Sequence, residues 1–150
     1  MRIRKSYHTR LIPCALFLIG LLAACASTEH MPTTNISNVV TVVPVENHRE
    51  AVGWYTNLLG READLVPAEG VAEWQLADNA WLQVGIDPER AGNTTVIIGV
   101  HDLDAQRSSS EEAGVPLGEV FEIPGIIRLA ETVDPEGNKV VFVQDISGEA

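Results

Sequence analysis

Val43-Pro44-Val45-Glu46-Asn47, then about three helical turns ending at Leu58-Leu59-Gly60, is answered later by Gly99-Val100-His101-Asp102 and a helical stretch ending at Glu112-Ala113-Gly114. The same local instruction is written twice. Each copy carries an apolar strand, an Asn or Asp placed to cap a helix, and a Gly to end it. The two start about 55 residues apart, and further strand-like sequence follows each. A duplicated β-α-β-β-β unit limits the fold strongly, because two half-sheets bury their apolar faces only by packing together.

Working outward, residues 38–45 hold the β-branched run Val39-Val40-Thr41-Val42-Val43, suited to a strand. Asn47 with Glu50 three residues on makes a capping-box-like helix start. Val52, Tyr55, Leu58 and Leu59 fall on one helical face. Strands are expected at 62–66, 71–76 and 80–86, with Ala77-Asp78-Asn79 as the turn between the last two. The polar segment 87–93 connects the units. The second unit gives a strand at 94–100, a helix at 103–113 and strands at 118–123, 126–133 and 139–144. In the turn Asp134-Pro135-Glu136-Gly137-Asn138, proline presets φ and glycine is free to take positive φ.

The N-terminal segment has a different character. Arg2, Arg4, Lys5 and Arg10 precede an apolar run over residues 11–22, too short to cross a ~30 Å hydrocarbon core as a helix. It ends Leu22-Ala23-Ala24-Cys25, which resembles the bacterial lipobox. The expectation is a lipoprotein signal peptide over 1–24, lipid on Cys25, a flexible tether to residue 38 and one domain over 39–147. The alternative is an ordinary secretory signal with Cys25 incidental. Each buried CH₂ of an acyl chain would contribute about 0.8 kcal/mol to anchoring. The 13 residues 26–38 would reach roughly 43–47 Å fully extended. Ala26 after the lipidated Cys resembles outer-membrane sorting, which in a Gram-negative cell gives a membrane-anchored protein facing the periplasm.

Cys14 leaves with the signal and Cys25 takes lipid, so the domain is expected to hold no disulfide, zinc–thiolate site or cysteine nucleophile. The whole chain has 10 basic and 21 acidic residues. Losing four basic residues with the signal leaves 6 against 21, a net −15. Such a surface repels phosphate backbones and excludes nucleic acid as a partner.

Trp54-Tyr55-Thr56-Asn57-Leu58-Leu59-Gly60, Val100-His101-Asp102-Leu103-Asp104-Ala105 and Asp134-Pro135-Glu136-Gly137-Asn138, in that order on a duplicated unit, resemble the vicinal-oxygen-chelate superfamily. That group includes glyoxalase I, bleomycin-resistance proteins and extradiol dioxygenases. The resemblance covers nearly all of residues 39–146. It implies an α+β fold of two βαβββ modules forming a cupped mixed sheet, a ligand in the cup, and a homodimer.

The resemblance also implies where metal ligands would stand, one each from the first and last strand of each module. Those positions are Val40, Gln83, Thr95 and Val141, and shifting by one residue to Val39, Thr41, Val96, Val140 or Phe142 brings no better donors. No metal and no other cofactor is therefore expected. His30, His48 and His101 lack ligand spacing, and Ser108-Ser109-Ser110 lacks a nucleophile-elbow context and is expected on a solvated helix face.

Trp74, Trp81, Gln83 and Arg128 are the candidate ligand-binding residues. Trp81 and Gln83 share a face by the period of two. An aromatic wall with an amide suits a flat or apolar molecule. Arg128 suits an anionic group, or else pairs with Glu122 or Glu131. Three functions follow: metal-independent small-molecule binding, a glyoxalase-like lyase or isomerase (or dioxygenase-like enzyme) with non-standard ligands, or an interaction scaffold at the envelope.

Overall fold

A computed structural model describes residues 35–148. The expected signal peptide, the lipidation site Cys25 and most of the tether lie outside the described residues. No described helix is long and apolar enough to cross a membrane.

The first module runs β1 (Val39–Val45), α1 (His48–Leu59), β2 (Leu65–Ala68), β3 (Val71–Ala77) and β4 (Ala80–Ile86). The second runs β5 (Thr95–Gly99), α2 (Leu103–Glu112), β6 (Phe121–Ile123), β7 (Ile127–Val133) and β8 (Lys139–Asp145). Each module makes its own four-stranded sheet, in the orders β1-β4-β3-β2 and β5-β8-β7-β6. In both, the first strand pairs parallel with the last and the others pair antiparallel. This is the duplicated βαβββ architecture expected from the sequence.

The helix boundaries follow their caps. Asn47 Oδ1 accepts from the Glu50 amide at 3.4 Å and its Nδ2 donates to the Glu50 carboxylate at 2.8 Å, while the Asn47 backbone N–H, which a capping box would give to Glu50, donates to Glu136. Gly60 ends α1 in the left-handed region at φ +69°. Asp102 caps α2 by accepting from Ala105 N at 2.9 Å. Ala51, Tyr55 and Leu58 of α1 and Leu103 of α2 are buried with Val43, Val45, Trp74, Leu82, Val84, Val96, Val140 and Phe142 in one core shared by the modules. Ser110, expected on a solvated face, is buried and accepts from Gln106 Nε2 at 3.1 Å.

The second strand begins three residues later than expected. Arg61 pairs with Asp64, and the second Asp64 oxygen accepts from Gln75 N at 2.7 Å. Residues 61–64 are thereby pinned by side chains, and ladder pairing starts only at Leu65.

The turn 134–138 joins the modules. Asp134 and Asn138 are buried there. Asp134 Oδ1 accepts from Glu136 N and Asn138 N at 2.9 and 2.8 Å; its Oδ2 accepts from Asn138 Nδ2 at 2.9 Å and from the Tyr55 hydroxyl at 3.3 Å. Asn138 Nδ2 also donates to Pro44 O at 3.0 Å, and its Oδ1 accepts from Thr94 N at 3.0 Å. Glu136 Oε1 accepts from Glu46 N and Asn47 N at 3.0 and 2.6 Å, just before α1. One five-residue turn of the second module thus ties down the β1–α1 junction of the first.

Gly92 packs against this turn at φ +74°, where a Cβ would overlap the Glu136 carbonyl oxygen. Gly92→Ala is expected to cost about 1–3 kcal/mol, lowering Tm by at least ~4 °C in a melt followed by circular dichroism. An unchanged Tm would mean that the turn does not sit tightly on the connector.

Burial raises the Tyr55 phenol well above its usual range, and the Asp134 charge and hydrogen bond add to this. A folded-state value above the unfolded one contributes stability that is fully present below about pH 10 and is lost as pH rises through it. Stability is expected to fall in that alkaline window. Tyr55→Phe should lose the tyrosine-linked part of the slope, measured by urea unfolding between pH 8 and 11.

Candidate functional site

Alternate residues of each strand leave the core for the sheet face that carries no helix. On β4 these are Trp81 and Gln83, alternating with the buried Leu82 and Val84. Register then fixes their neighbours. Val40 and Val42 of β1 lie beside Trp81 and Gln83, while Gln75 and Glu73 of β3 lie opposite the same two residues. In the second sheet Thr95 and Ile97 of β5, Val141 and Val143 of β8, and Leu129 and Glu131 of β7 share the corresponding face.

Trp81 and Gln83 are thus brought together as expected, and the other two candidates are placed elsewhere. Trp74 is fully buried in the core. Its ring lies 6.1 Å from that of Tyr55, and Nε1 donates to Arg61 O at 3.0 Å. The cause is a register shift between Gln75 and Ala77. An unbroken hairpin continuing the Ala77–Ala80 pair would set Trp74 opposite Gln83; the bulge sets it opposite Leu82, on the core face. Arg128 shares its face with the buried Ala130 and reaches α2. Its guanidinium donates to both Asp104 oxygens at 3.0 Å and lies 3.8 Å from Glu122. The Arg128 hydrogen bonds hold the Asp104 carboxyl below the usual carboxylate range. Arg128 ties α2 to its sheet and does not face the open side.

Glu73 is the residue that sequence reading missed. It is half-buried on the open face and accepts from Gln83 Nε2 at 2.5 Å. Its signal was the Asp78-Asn79 hairpin, since Gln83 needs a partner near residue 73 or 74; the bulge decides which.

Val40, Gln83, Thr95 and Val141, the four positions implied for metal ligands, all lie on the helix-free faces. They offer one amide, one hydroxyl and two alkyl groups. Valine has no lone pair to give, so this set does not fit a catalytic divalent ion. No cluster of three His, Cys, Asp or Glu residues that could hold a metal occurs among the described residues.

The two halves of the open face differ in character. The first module contributes Trp81, Gln83, Gln75 and Glu73. The second is mainly apolar, with Ile97, Phe121, Leu129 and Val143, and its Glu131 is paired with Lys139 at 3.2 Å. Ile97 is 70% exposed and Phe121 60%. Two clefts open where both modules contribute walls. One, of about 180 Å³, is lined by Val39, Leu76, Trp81, Val96 and Ile97 among others. The other, of about 210 Å³, lies against Val42, Pro44, Arg90 and Thr94. Each is smaller than the ~300–1,000 Å³ usual for drug-sized ligands, so a larger ligand must spread over the open face.

Two βαβββ units with helices on one side and an open sheet face on the other define a class of paired-module α+β domain. Solved structures share it. A glyoxalase/bleomycin resistance protein from Catenulispora acidiphila is 33% identical, with 71% of this chain matching 96% of that one at a TM-score of 0.68. TnmS3, an antibiotic-binding protein from Streptomyces sp. CB03234, is 21% identical over 77% of this chain and 99% of that one, at a TM-score of 0.60. The bleomycin resistance determinant encoded on transposon Tn5 is 15% identical over 72% and 97%, also at 0.60. The last two show the fold alone. No protein-family model matches the chain, and no curated protein does. At the identity and coverage of the first match, the chain belongs to the glyoxalase/bleomycin-resistance family, within the vicinal-oxygen-chelate superfamily.

Proposed function

We propose that this protein binds a small molecule on the open face of its paired sheets without a metal ion. The observation that carries the reading is the side-chain chemistry at Val40, Gln83, Thr95 and Val141, where two alkyl groups and one hydroxyl replace a ligand set. The exposed apolar residues of the second sheet, with Trp81 and Gln83 of the first, supply the contact surface. The antibiotic-binding and bleomycin-resistance names carried by two of the similar structures support a binding role. The alternative, a glyoxalase-like or dioxygenase-like enzyme with non-standard ligands, would have to draw its donors from outside these four positions, and the described residues offer no cluster of three His, Cys, Asp or Glu side chains for it.

Two further elements complete the proposal. Lipid on Cys25 holds the domain at the cell envelope, facing the periplasm if the cell has an outer membrane, and the domain works as a homodimer. The Leu22-Ala23-Ala24-Cys25 sequence supports the first, and the resemblance to a superfamily whose members often dimerise supports the second.

The deciding experiment is elemental analysis of the purified protein after dialysis, paired with ligand screening by tryptophan fluorescence in chelator. Substoichiometric metal with retained binding is the expected result. Near-stoichiometric Zn, Ni, Mn or Fe would move the enzyme reading ahead. For the anchor, Cys25→Ser is expected to abolish incorporation of labelled palmitate, and incorporation that persists would refute lipidation at that residue.

A further inference from the structure

The open face carries a carboxylate that its surroundings do not neutralise. Among the described residues, the strand cations Arg128 and Lys139 are committed to Asp104 and Glu131, and no ion pair includes Glu73. Glu73 nevertheless stands half-buried in the middle of β3, with one oxygen accepting from Gln83 Nε2. The hydrogen bond orients the group and leaves its charge in place. Trp81 lies two residues from Gln83 on the same face of β4, roughly 7 Å along the strand. The register makes it the diagonal neighbour of Glu73, within reach for a long side chain or a shared ligand. The module-one residues of this face, Val40, Val42, Leu65, Glu73, Gln75, Trp81 and Gln83, include no Lys or Arg. Beyond the face, 21 acidic residues against 10 basic ones give the chain a field that draws cations in.

From this placement we infer that the site selects an amphiphilic organic cation. An ammonium or amidinium group sits between the Glu73 carboxylate and the Trp81 ring, and an apolar body lies along Ile97 and the second sheet. The carboxylate supplies a charge-assisted hydrogen bond and the indole face a cation–π contact. A divalent metal ion is not the occupant, because one carboxylate and one amide do not complete a coordination shell. The inference rests on the open face being the ligand site, as proposed above.

Three compounds with one apolar body and different ends test it: 4-phenylbutylamine, 4-phenylbutanol and 4-phenylbutyrate, titrated against the purified protein at about 0.15 M ionic strength. Tryptophan fluorescence and chemical-shift changes report binding. The amine is expected to bind about tenfold more tightly than the alcohol, and the carboxylate most weakly. Glu73→Gln should bring the amine down to the alcohol's affinity and leave the alcohol unchanged. Glu112→Gln, the same charge change on the exposed end of α2, should alter neither.

Equal affinity for amine and alcohol would overturn the selection for cations while leaving the face as the site. A preference for the amine that survives Glu73→Gln would overturn the role of Glu73. Failure of all three to bind would overturn both readings, the selection for cations and the open face as the ligand site.

Discussion

Asp134→Ala is expected to destabilise the domain by about 3–5 kcal/mol and to lower its Tm by on the order of 15 °C. Few single changes away from the apolar core should cost so much. The Asp134 carboxylate accepts four hydrogen bonds, two from backbone amides of its own turn, one from the Asn138 side chain and one from Tyr55. Alanine would leave the Tyr55 hydroxyl and the Asn138 amide in a buried site with fewer partners, and each orphaned group costs about 1–3 kcal/mol. Asn138 would then hold Pro44 and Thr94 less firmly, so the loss would spread from the turn to both modules. Asp134→Asn keeps one oxygen for the two backbone donors and turns an amide toward Asn138 and Tyr55, so an intermediate loss is expected. Thermal melts and urea titration of the three proteins are the check, and a loss below about 1 kcal/mol for alanine would show that the modules are held by their apolar core alone.

A double-mutant cycle separates the turn's internal role from its role across the modules. Tyr55 lies in α1 and Asp134 in the second module, 79 positions apart. If their hydrogen bond is a true inter-module tie, Asp134→Ala and Tyr55→Phe together should cost less than the sum of the two alone. Additive losses would confine Asp134 to holding its own turn.

The duplicated fold was legible because its signals were local. Asn47 with Glu50, Asp102 before α2, and Gly60 in the left-handed region act within a turn or two of chain, and the structure keeps each where the sequence put it. The open face was legible only where the period of two was unbroken, which is why Trp81 and Gln83 fall together. Beyond that, tertiary detail intervened. One extra residue in β3 turned Trp74 inward and brought Glu73 out. Arg128 went to Asp104, 24 positions away on α2, a contact that no strand pattern encodes. The turn 134–138 could be read as a turn, but its grip on Pro44, Glu46 and Asn47 depends on how two units far apart in sequence pack.

The two tryptophans of the β3–β4 hairpin make that bulge measurable. Trp74→Ala is expected to cost about 3–5 kcal/mol, because it empties a fully enclosed site against Tyr55 and Leu82 and strands the Arg61 carbonyl that its indole N–H satisfies. Trp81→Ala removes a ring from the open face and is expected to cost about 1 kcal/mol or less, while abolishing most of the fluorescence response to ligands. Acrylamide should quench Trp81 efficiently and leave Trp74 protected. Were the hairpin unbroken, Trp74 would stand beside Trp81 and both would be quenched alike. Comparable stability losses for the two variants, with equal quenching, would remove the register shift and with it the placing of Glu73 opposite Gln83. The stability contrast thus tests the site as directly as any ligand does, because one bulge decides which tryptophan the core takes and which side chains remain for recognition.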